Sequence, residues 1–228
     1  MTLLGHMLDA ALPRRCAACG TPLARQEPQW CSPCEFTWIR HAALPLQRFG
    51  GRVDWAFGWS WLSLGGAEER QLVHALKYGG DSRLGVAIGR AMAREWSRLE
   101  CAGREAEGRW SVVAVPLHRK RQRSRGYNQS ELLAKGWQAV AGMPMHPLLI
   151  RKHSGRSLTG FGRSERLANL NARYHWDSPP DGQLNIKGGL IIMDDVVTTG
   201  STLEHAHHAL RQHWQGPIGF VTLADAAT

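Results

Sequence analysis

The chain has 228 residues, of which 43% are hydrophobic and ten are tryptophan, so it can bury a sizeable core and is not of the disordered class. Its formal charge of +9 favours anionic partners such as phosphates, nucleotides or nucleic acid. No apolar run approaches the ~20 residues that a membrane-spanning helix needs, so we expect no membrane insertion. Because His6 and Asp9 interrupt the apolar N-terminal stretch, it is a poor secretion signal, and we expect a cytoplasmic protein.

Two Cys-x-x-Cys pairs near the N-terminus, Cys16 with Cys19 and Cys31 with Cys34, are the first chemical motif. Paired knuckles at this spacing are typical of a tetrahedral Zn²⁺ site. The alternatives are two disulfides, which a reducing cytosol disfavours, and a redox motif, which would open the helix of a βαβ unit. Since four thiolates leave no open coordination position, we predict a small structural zinc ribbon over residues 1–40.

The predicted α/β domain, residues 41–228, begins with a linker over 41–52. Aromatic residues then alternate with small ones, and this period of two predicts a strand with one aromatic face. These residues are Trp55, Phe57, Trp59 and Trp61. Such a stripe could stack nucleic-acid bases, but it is more often buried core, and we predict core. Apolar residues at helical spacing then predict helices over residues 67–77 and 83–99.

A basic cluster follows the short apolar strand predicted over residues 112–115. Its members and the histidine before them are His118, Arg119, Lys120, Arg121, Arg123 and Arg125. Because ligands bind at the carboxyl ends of parallel strands, we predict that some of these cations hold a pyrophosphate, which guanidinium groups bind through paired hydrogen bonds. The alternatives are a solvated surface and a contact with nucleic acid.

Further along, a helix is predicted over residues 130–141 and a strand over residues 145–150. Strands and helices therefore alternate through this part of the chain. That order predicts an α/β fold, with a mostly parallel twisted sheet flanked by helices.

The most informative segment is an apolar run, Leu190 to Met193, that ends in Asp194 and Asp195. Small hydroxyl residues around one glycine come next: Thr198, Thr199, Gly200, Ser201 and Thr202. A buried strand, a turn and a helix starting at Ser201 would present backbone N–H groups to a phosphate. Two adjacent carboxylates suit a vicinal diol, or a diol bridged by Mg²⁺. A diol beside a phosphate is found in ribose 5-phosphate, so we predict that the segment binds this group. A Walker B strand also ends in Asp, but it requires a G-x-x-x-x-G-K-[ST] string that the chain lacks.

This segment resembles the phosphoribosyl-pyrophosphate (PRPP) motif of type I phosphoribosyltransferases. Together with the cysteine pairs, the string Val115-Pro116-Leu117-His118 and the segment 125–134, it gives the chain a resemblance to the ComF family of competence proteins over nearly its whole length. The resemblance implies a phosphoribosyltransferase-type fold, a role in handling imported DNA, and PRPP bound with Mg²⁺ on its pyrophosphate.

The same resemblance implies a lid over residues 152–166, which are rich in Gly, Ser and Arg. Arg163 and Arg166 are its candidate closing catalytic cations, and the alternative is that both are ordinary surface charges. Leu158 departs from the family, which usually carries a glutamine there. A hood that selects the base is expected within residues 53–78.

Three functions are consistent with these residues. The first is a PRPP-binding protein that acts in DNA uptake, with DNA-processing or helicase proteins as partners. The second is a phosphoribosyltransferase of nucleotide metabolism, and the third is a non-catalytic accessory factor that binds single-stranded DNA. Whether the chain is an enzyme stays open at this point.

Overall fold

The structure, a computed structural model, describes residues 13–38, 53–98, 110–151, 174–177, 186 and 188–226. The helices and strands in these ranges are α1 (Ser32–Thr37), β1 (Gly58–Ser63), α2 (Ala67–Tyr78), α3 (Ser82–Arg98), β2 (Trp110–Ala114), α4 (Arg119–Arg125), α5 (Gln129–Ala141), β3 (Leu149–Arg151), β4 (Tyr174–Trp176), β5 (Gly189–Val197), α6 (Ser201–Arg211) and β6 (Ile218–Asp225). The predicted linker 41–52 and the predicted lid 152–166, with Leu158, Arg163 and Arg166, lie outside the described residues.

A four-stranded parallel sheet in the order β1-β6-β5-β2 forms the centre of the fold. One of its two central strands, β5, is apolar on both faces because alternate side chains enter two separate cores. Ile191 and Met193 join the core that contains α2, α3 and α5, whereas Leu190 and Ile192 join the core that contains α6. The predicted α/β fold, with helices covering both faces of a parallel sheet, is thus confirmed.

The strand predicted over residues 145–150 is divided in the structure. Met145 pairs with Val112 and extends the sheet edge by one bridge, and Leu149 begins β3, which pairs antiparallel with β4. The physical reason is Pro147, whose nitrogen carries no hydrogen for a strand ladder.

The aromatic stripe belongs to the core, as predicted. Trp59 and Trp61 in β1 are each 1% exposed. Trp61 also receives the cysteine module, because the rings of Trp30 and Trp38 lie 6.1 and 5.5 Å from its ring centroid. The module and the sheet therefore share one continuous hydrophobic core.

Helices α3 and α5 touch backbone to backbone through glycines. A Cβ atom on Gly89 would lie 2.0 Å from the carbonyl oxygen of Leu133, and one on Gly136 would lie 2.1 Å from that of Val86. This close packing fixes α5 against the sheet. The first turn of α5 is thereby held beside the carboxyl end of β5.

Candidate functional site

The two adjacent carboxylates lie where β5 reaches the carboxyl edge of the sheet. Asp194 is buried, and its Oδ1 accepts a hydrogen bond from Ser130 Oγ at 3.0 Å and another from the backbone N–H of Asp195 at 2.9 Å. Asp195 is half-buried, and its Oδ2 lies 3.3 Å from Lys77 Nζ. Three separate elements, β5, α5 and α2, thus fix the geometry of the acid pair.

Burial raises the pKa of Asp194 to about 7, and the neighbouring charge of Asp195 acts in the same direction. The hydrogen bonds from Asp195 and Ser130, and the charge of Lys77, oppose this rise in pKa. Near neutral pH the Asp194 carboxyl is therefore divided between its two forms. It can either accept a hydrogen bond from a ligand hydroxyl or donate one to it.

A cleft of about 260 Å³ opens above the acid pair. Four basic side chains from three elements line it together with Asp194 and Asp195: Lys77 of α2, Arg121 and Arg125 of α4, and Arg151 of β3. Because four cations face two carboxylates, the cleft has an excess of positive charge and suits a ligand that carries several negative charges.

Arg125 is the best-held cation of the predicted basic cluster. It is half-buried, and its Nη1 donates to Gln129 Oε1 at 3.0 Å while its Nη2 donates to the Tyr78 hydroxyl at 3.4 Å. Its Cζ also lies 5.0 Å from the centre of the Tyr78 ring. Contacts on two sides orient the guanidinium in advance of binding.

The rest of the basic cluster divides between cleft and surface. Arg121 is exposed and lines the cleft, whereas Arg119 and Arg123 are exposed and are not among the lining residues. His118 is the N-cap of α4, where its Nδ1 accepts from the backbone N–H of Lys120 at 3.2 Å. Of the six residues of the predicted cluster, the structure thus brings Arg121 and Arg125 to the cleft.

The first turn of α5 forms one wall of the cleft. The sequence pattern indicated only a helix cap at this position and not a place in a binding site. Asn128 is the N-cap, and its Nδ2 donates to the Val115 carbonyl at 3.0 Å, which ties the helix to the end of β2. Gln129 is 1% exposed and lines the cleft, and its buried Nε2 has no hydrogen-bond partner among the described residues. An unsatisfied buried donor is rare in native structures and points to a ligand or water acceptor.

The predicted phosphate loop lies between β5 and α6. Gly200 is buried and adopts a left-handed φ of 79° as the N-cap of α6, where no described side chain caps the helix. Thr202, in the first turn of α6, lines the cleft beside the acid pair. Thr198, Thr199 and Ser201 adjoin it without being among the lining residues.

The four cysteines of the N-terminal module form the second site. Their sulfur atoms all lie within 4.8 Å of one another, with Cys16 and Cys34 separated by 3.9 Å and Cys19 and Cys31 by 3.7 Å. Sulfur atoms around a tetrahedral Zn²⁺ are about 3.8 Å apart, given Zn–S bonds of about 2.3 Å. All four are free thiols, and the group could bind zinc.

The surroundings of these thiols shift their pKa values in opposite directions. Burial raises the pKa of Cys34, because a thiolate is costly away from water. At the exposed side of the cluster, hydrogen bonds with Thr21 lower the pKa of Cys19 to about 6. A metal ion would compensate the buried negative charge of such thiolates.

No family model matches the chain. It is 32% identical to the DNA utilization protein YhgH of Salmonella typhimurium over 58% of the chain and 56% of that protein. It is 29% identical to competence protein F of Haemophilus influenzae, over 45% of the chain and 44% of that protein, and 28% identical to competence protein ComFC of Bacillus subtilis, over 43% and 37%. These similarities support the resemblance of the chain to the ComF family.

The match to these relatives covers only part of each chain. The chain spans little more than half the length of the YhgH proteins that it matches. No described helix of the chain is long and apolar enough to cross a membrane.

Proposed function

We propose that the chain binds PRPP, or a closely related phosphoribosyl ligand, together with Mg²⁺, and that it acts in the uptake or use of external DNA. The observation that supports the ligand is the acid pair at the end of β5, Asp194 and Asp195, inside a cleft lined by four basic side chains. A diol between phosphates needs both features, because hydroxyls bind carboxylates and phosphates bind cations.

In this proposal a different set of residues binds each part of the ligand. The acid pair binds the two ribose hydroxyls, and the loop 198–202 at the start of α6 binds the 5-phosphate. Arg121 and Arg125 bind the pyrophosphate. Mg²⁺ would bind pyrophosphate oxygens and neutralise part of their charge, and zinc would be a structural ion in the cysteine cluster. Arg163 and Arg166 of the predicted lid are proposed to close over the ligand.

The link to DNA is supported by the names of the relatives, which refer to DNA utilization and to competence. We propose the same role for this chain, with DNA-processing or helicase proteins as partners. Transfer of phosphoribose to a nitrogen nucleophile is the catalytic alternative. The bond from C1 to pyrophosphate would break, and the same cations would stabilise the leaving group. Pyrophosphate release against a panel of bases distinguishes an enzyme from a sensor.

Isothermal titration of the protein with PRPP and Mg²⁺ tests the pocket directly. We expect saturable heat for the wild type and none for the double variant Asp194→Asn, Asp195→Asn, since each amide has one acceptor oxygen in place of two and carries no negative charge. Glu68→Gln is a matched control, because Glu68 is an exposed carboxylate at the opposite end of α2. No heat for the wild type, or equal heat for the double variant, rejects the proposed ligand.

A second candidate function, binding of single-stranded DNA, is favoured by the outer surface of the site. Arg119, Lys120 and Arg123 are exposed on α4 and are not among the cleft residues, and the nearby Tyr78 ring is 63% exposed. Exposed cations with an aromatic ring are the parts of a single-strand surface. If they act so, Arg119→Ala with Arg123→Ala weakens binding of an oligonucleotide and flattens its salt dependence. Heat from PRPP should persist in that variant, and an unchanged oligonucleotide affinity rejects this candidate.

A further inference from the structure

Three consecutive residues in the last turn of α2 make polar contacts with the site. The Leu76 carbonyl accepts a hydrogen bond from the Tyr127 hydroxyl at 2.8 Å. Lys77 Nζ lies 3.3 Å from Asp195 Oδ2. Tyr78 accepts from Arg125. Because Arg125 ends α4 and Tyr127 lies in the turn that follows, this end of α2 is fixed between the basic helix and the acid pair.

Lys77 is consequently unlike a surface lysine. Its side chain is 23% exposed and lines the cleft, and both of its neighbours, Leu76 and Tyr78, make hydrogen bonds to other elements of the site. An ammonium group carries three donors and no acceptor, so it can bond to Asp195 and still donate to a second acceptor in the cleft. Lys77 therefore brings a positive charge to the place where the acid pair meets the ligand.

We propose that Lys77 binds the anionic substituent on ribose C1 and so makes the site prefer a C1-pyrophosphate over a free C1 hydroxyl. This rests on the proposed function, in which the acid pair holds the hydroxyls on C2 and C3. With Asp195 assigned to the C2 hydroxyl and Asp194 to the C3 hydroxyl, Lys77 lies beside whatever C1 carries, because C1 is bonded to C2 and Lys77 contacts Asp195. The ligand class assigned to Lys77 is thus a phosphoribosyl group with a phosphorylated C1.

A purely structural role for Lys77 makes a different prediction. If the ion pair with Asp195 only anchors α2, its loss should disturb the whole cleft. Every ligand that uses the acid pair would then lose affinity to the same extent. The two roles are separated by comparing ligands that share the ribose 5-phosphate and differ only at C1.

The experiment measures the affinities of PRPP with Mg²⁺ and of ribose 5-phosphate for the wild type, Lys77→Met and Lys77→Arg. Methionine keeps the apolar stem, and arginine keeps the charge. We expect Lys77→Met to lose roughly 10- to 100-fold in PRPP affinity, the typical effect of one charge-assisted hydrogen bond, while ribose 5-phosphate changes by less than about 3-fold. Lys77→Arg should retain most of the PRPP affinity.

Equal losses for both ligands, or no loss of PRPP affinity, overturn the assignment of Lys77 while leaving the proposed pocket intact. Absence of PRPP binding to the wild type overturns the proposed function and this assignment with it. Thermal unfolding of each variant confirms that the fold is retained. If Lys77→Met does not fold, Lys77→Gln, which keeps a polar side chain without the charge, is compared in its place.

Discussion

The cysteine cluster and the basic cleft both concentrate groups that need a counter-ion, but they are built into the fold in different ways. Three of the four cysteines, Cys16, Cys31 and Cys34, are buried in the same core as the sheet. The basic residues of the cleft are half-buried or exposed, and Arg121 is open to solvent. Water can therefore stabilise the cations of the cleft, whereas it cannot reach most of the thiols.

This difference in burial indicates which counter-ion stabilises the fold and which one binds only as a ligand. A cation among buried thiolates offsets a charge that the core would otherwise have to exclude. An anion in the cleft replaces water around groups that are already solvated. We therefore expect metal loss to affect stability strongly, and ligand loss to affect it only through mass action.

The largest effect is expected from breaking the cysteine cluster. Cys31→Ser, or removal of metal by a chelator, should lower the free energy of unfolding by several kcal/mol, on the order of 5, because structural zinc contributes directly to folding. Trp30 and Trp38 should lose their packing on Trp61 at the same time. Thermal denaturation with a parallel measurement of zinc content checks this.

Cys101→Ser is the control for that experiment, since Cys101 lies outside both Cys-x-x-Cys pairs. It should leave the zinc content and the melting temperature unchanged. A wild-type protein that contains no zinc, or that melts at the same temperature with and without a chelator, would show that the cluster does not contribute to folding through a metal.

The sheet was predictable from sequence because its signal is local. The run from Leu190 to Met193 could be identified as a buried strand from its apolar residues alone, and α2, α3 and α5 begin and end within one residue of their predicted limits. Helix α4 gave no such signal. It has no buried residue, so its sequence shows no apolar periodicity. Its two ends are set by the N-cap at His118 and by Gly126, whose φ is 81°.

The candidate site was only partly predictable, and the reason is distance along the chain. Asp194 and Asp195 belong to one continuous motif, and the cysteine pairs have a diagnostic spacing. Lys77, Arg151 and Gln129 reach the same cleft from α2, β3 and α5, and no local pattern connects them to it. The topology of the sheet brings them together, and their role could be assigned only from the structure.

A smaller effect is expected from the scaffold behind the cleft. Gly89→Ala places a methyl group 2.0 Å from the Leu133 carbonyl oxygen, so α3 and α5 must separate. We expect a loss of about 3 kcal/mol in the free energy of unfolding, at the upper end of overpacking costs. Denaturant titration measures it. Gly142→Ala is the control, because nothing lies within 4 Å of its added methyl group and only its φ of 67° opposes the change, at a cost of about 1 kcal/mol.

If Gly89→Ala costs no more than Gly142→Ala, the close contact of the two helices does not contribute to stability. Because α5 carries Gln129 and Ser130 into the cleft, a separation of the helices should also weaken the binding of PRPP. Loss of stability without loss of binding would show that the first turn of α5 is held independently of Gly89.

The smallest effect concerns the acid pair itself and is a dependence of stability on pH. The pKa of Asp194 is about 7 in the folded protein and close to 3.8 when unfolded, so between these values the folded state holds the proton more tightly. Stability from this group is present at low pH and is lost as the pH rises toward 7. When the pH rises from 5.5 to 7.0, the free energy of unfolding of the wild type should therefore fall by about 1–2 kcal/mol relative to that of Asp194→Asn. Denaturant titrations of both proteins at the two pH values measure this difference, in which the contributions of groups that both proteins share cancel. A constant difference between the two proteins would mean that Asp194 is ionised throughout this range, and that Lys77 and Ser130 outweigh its burial.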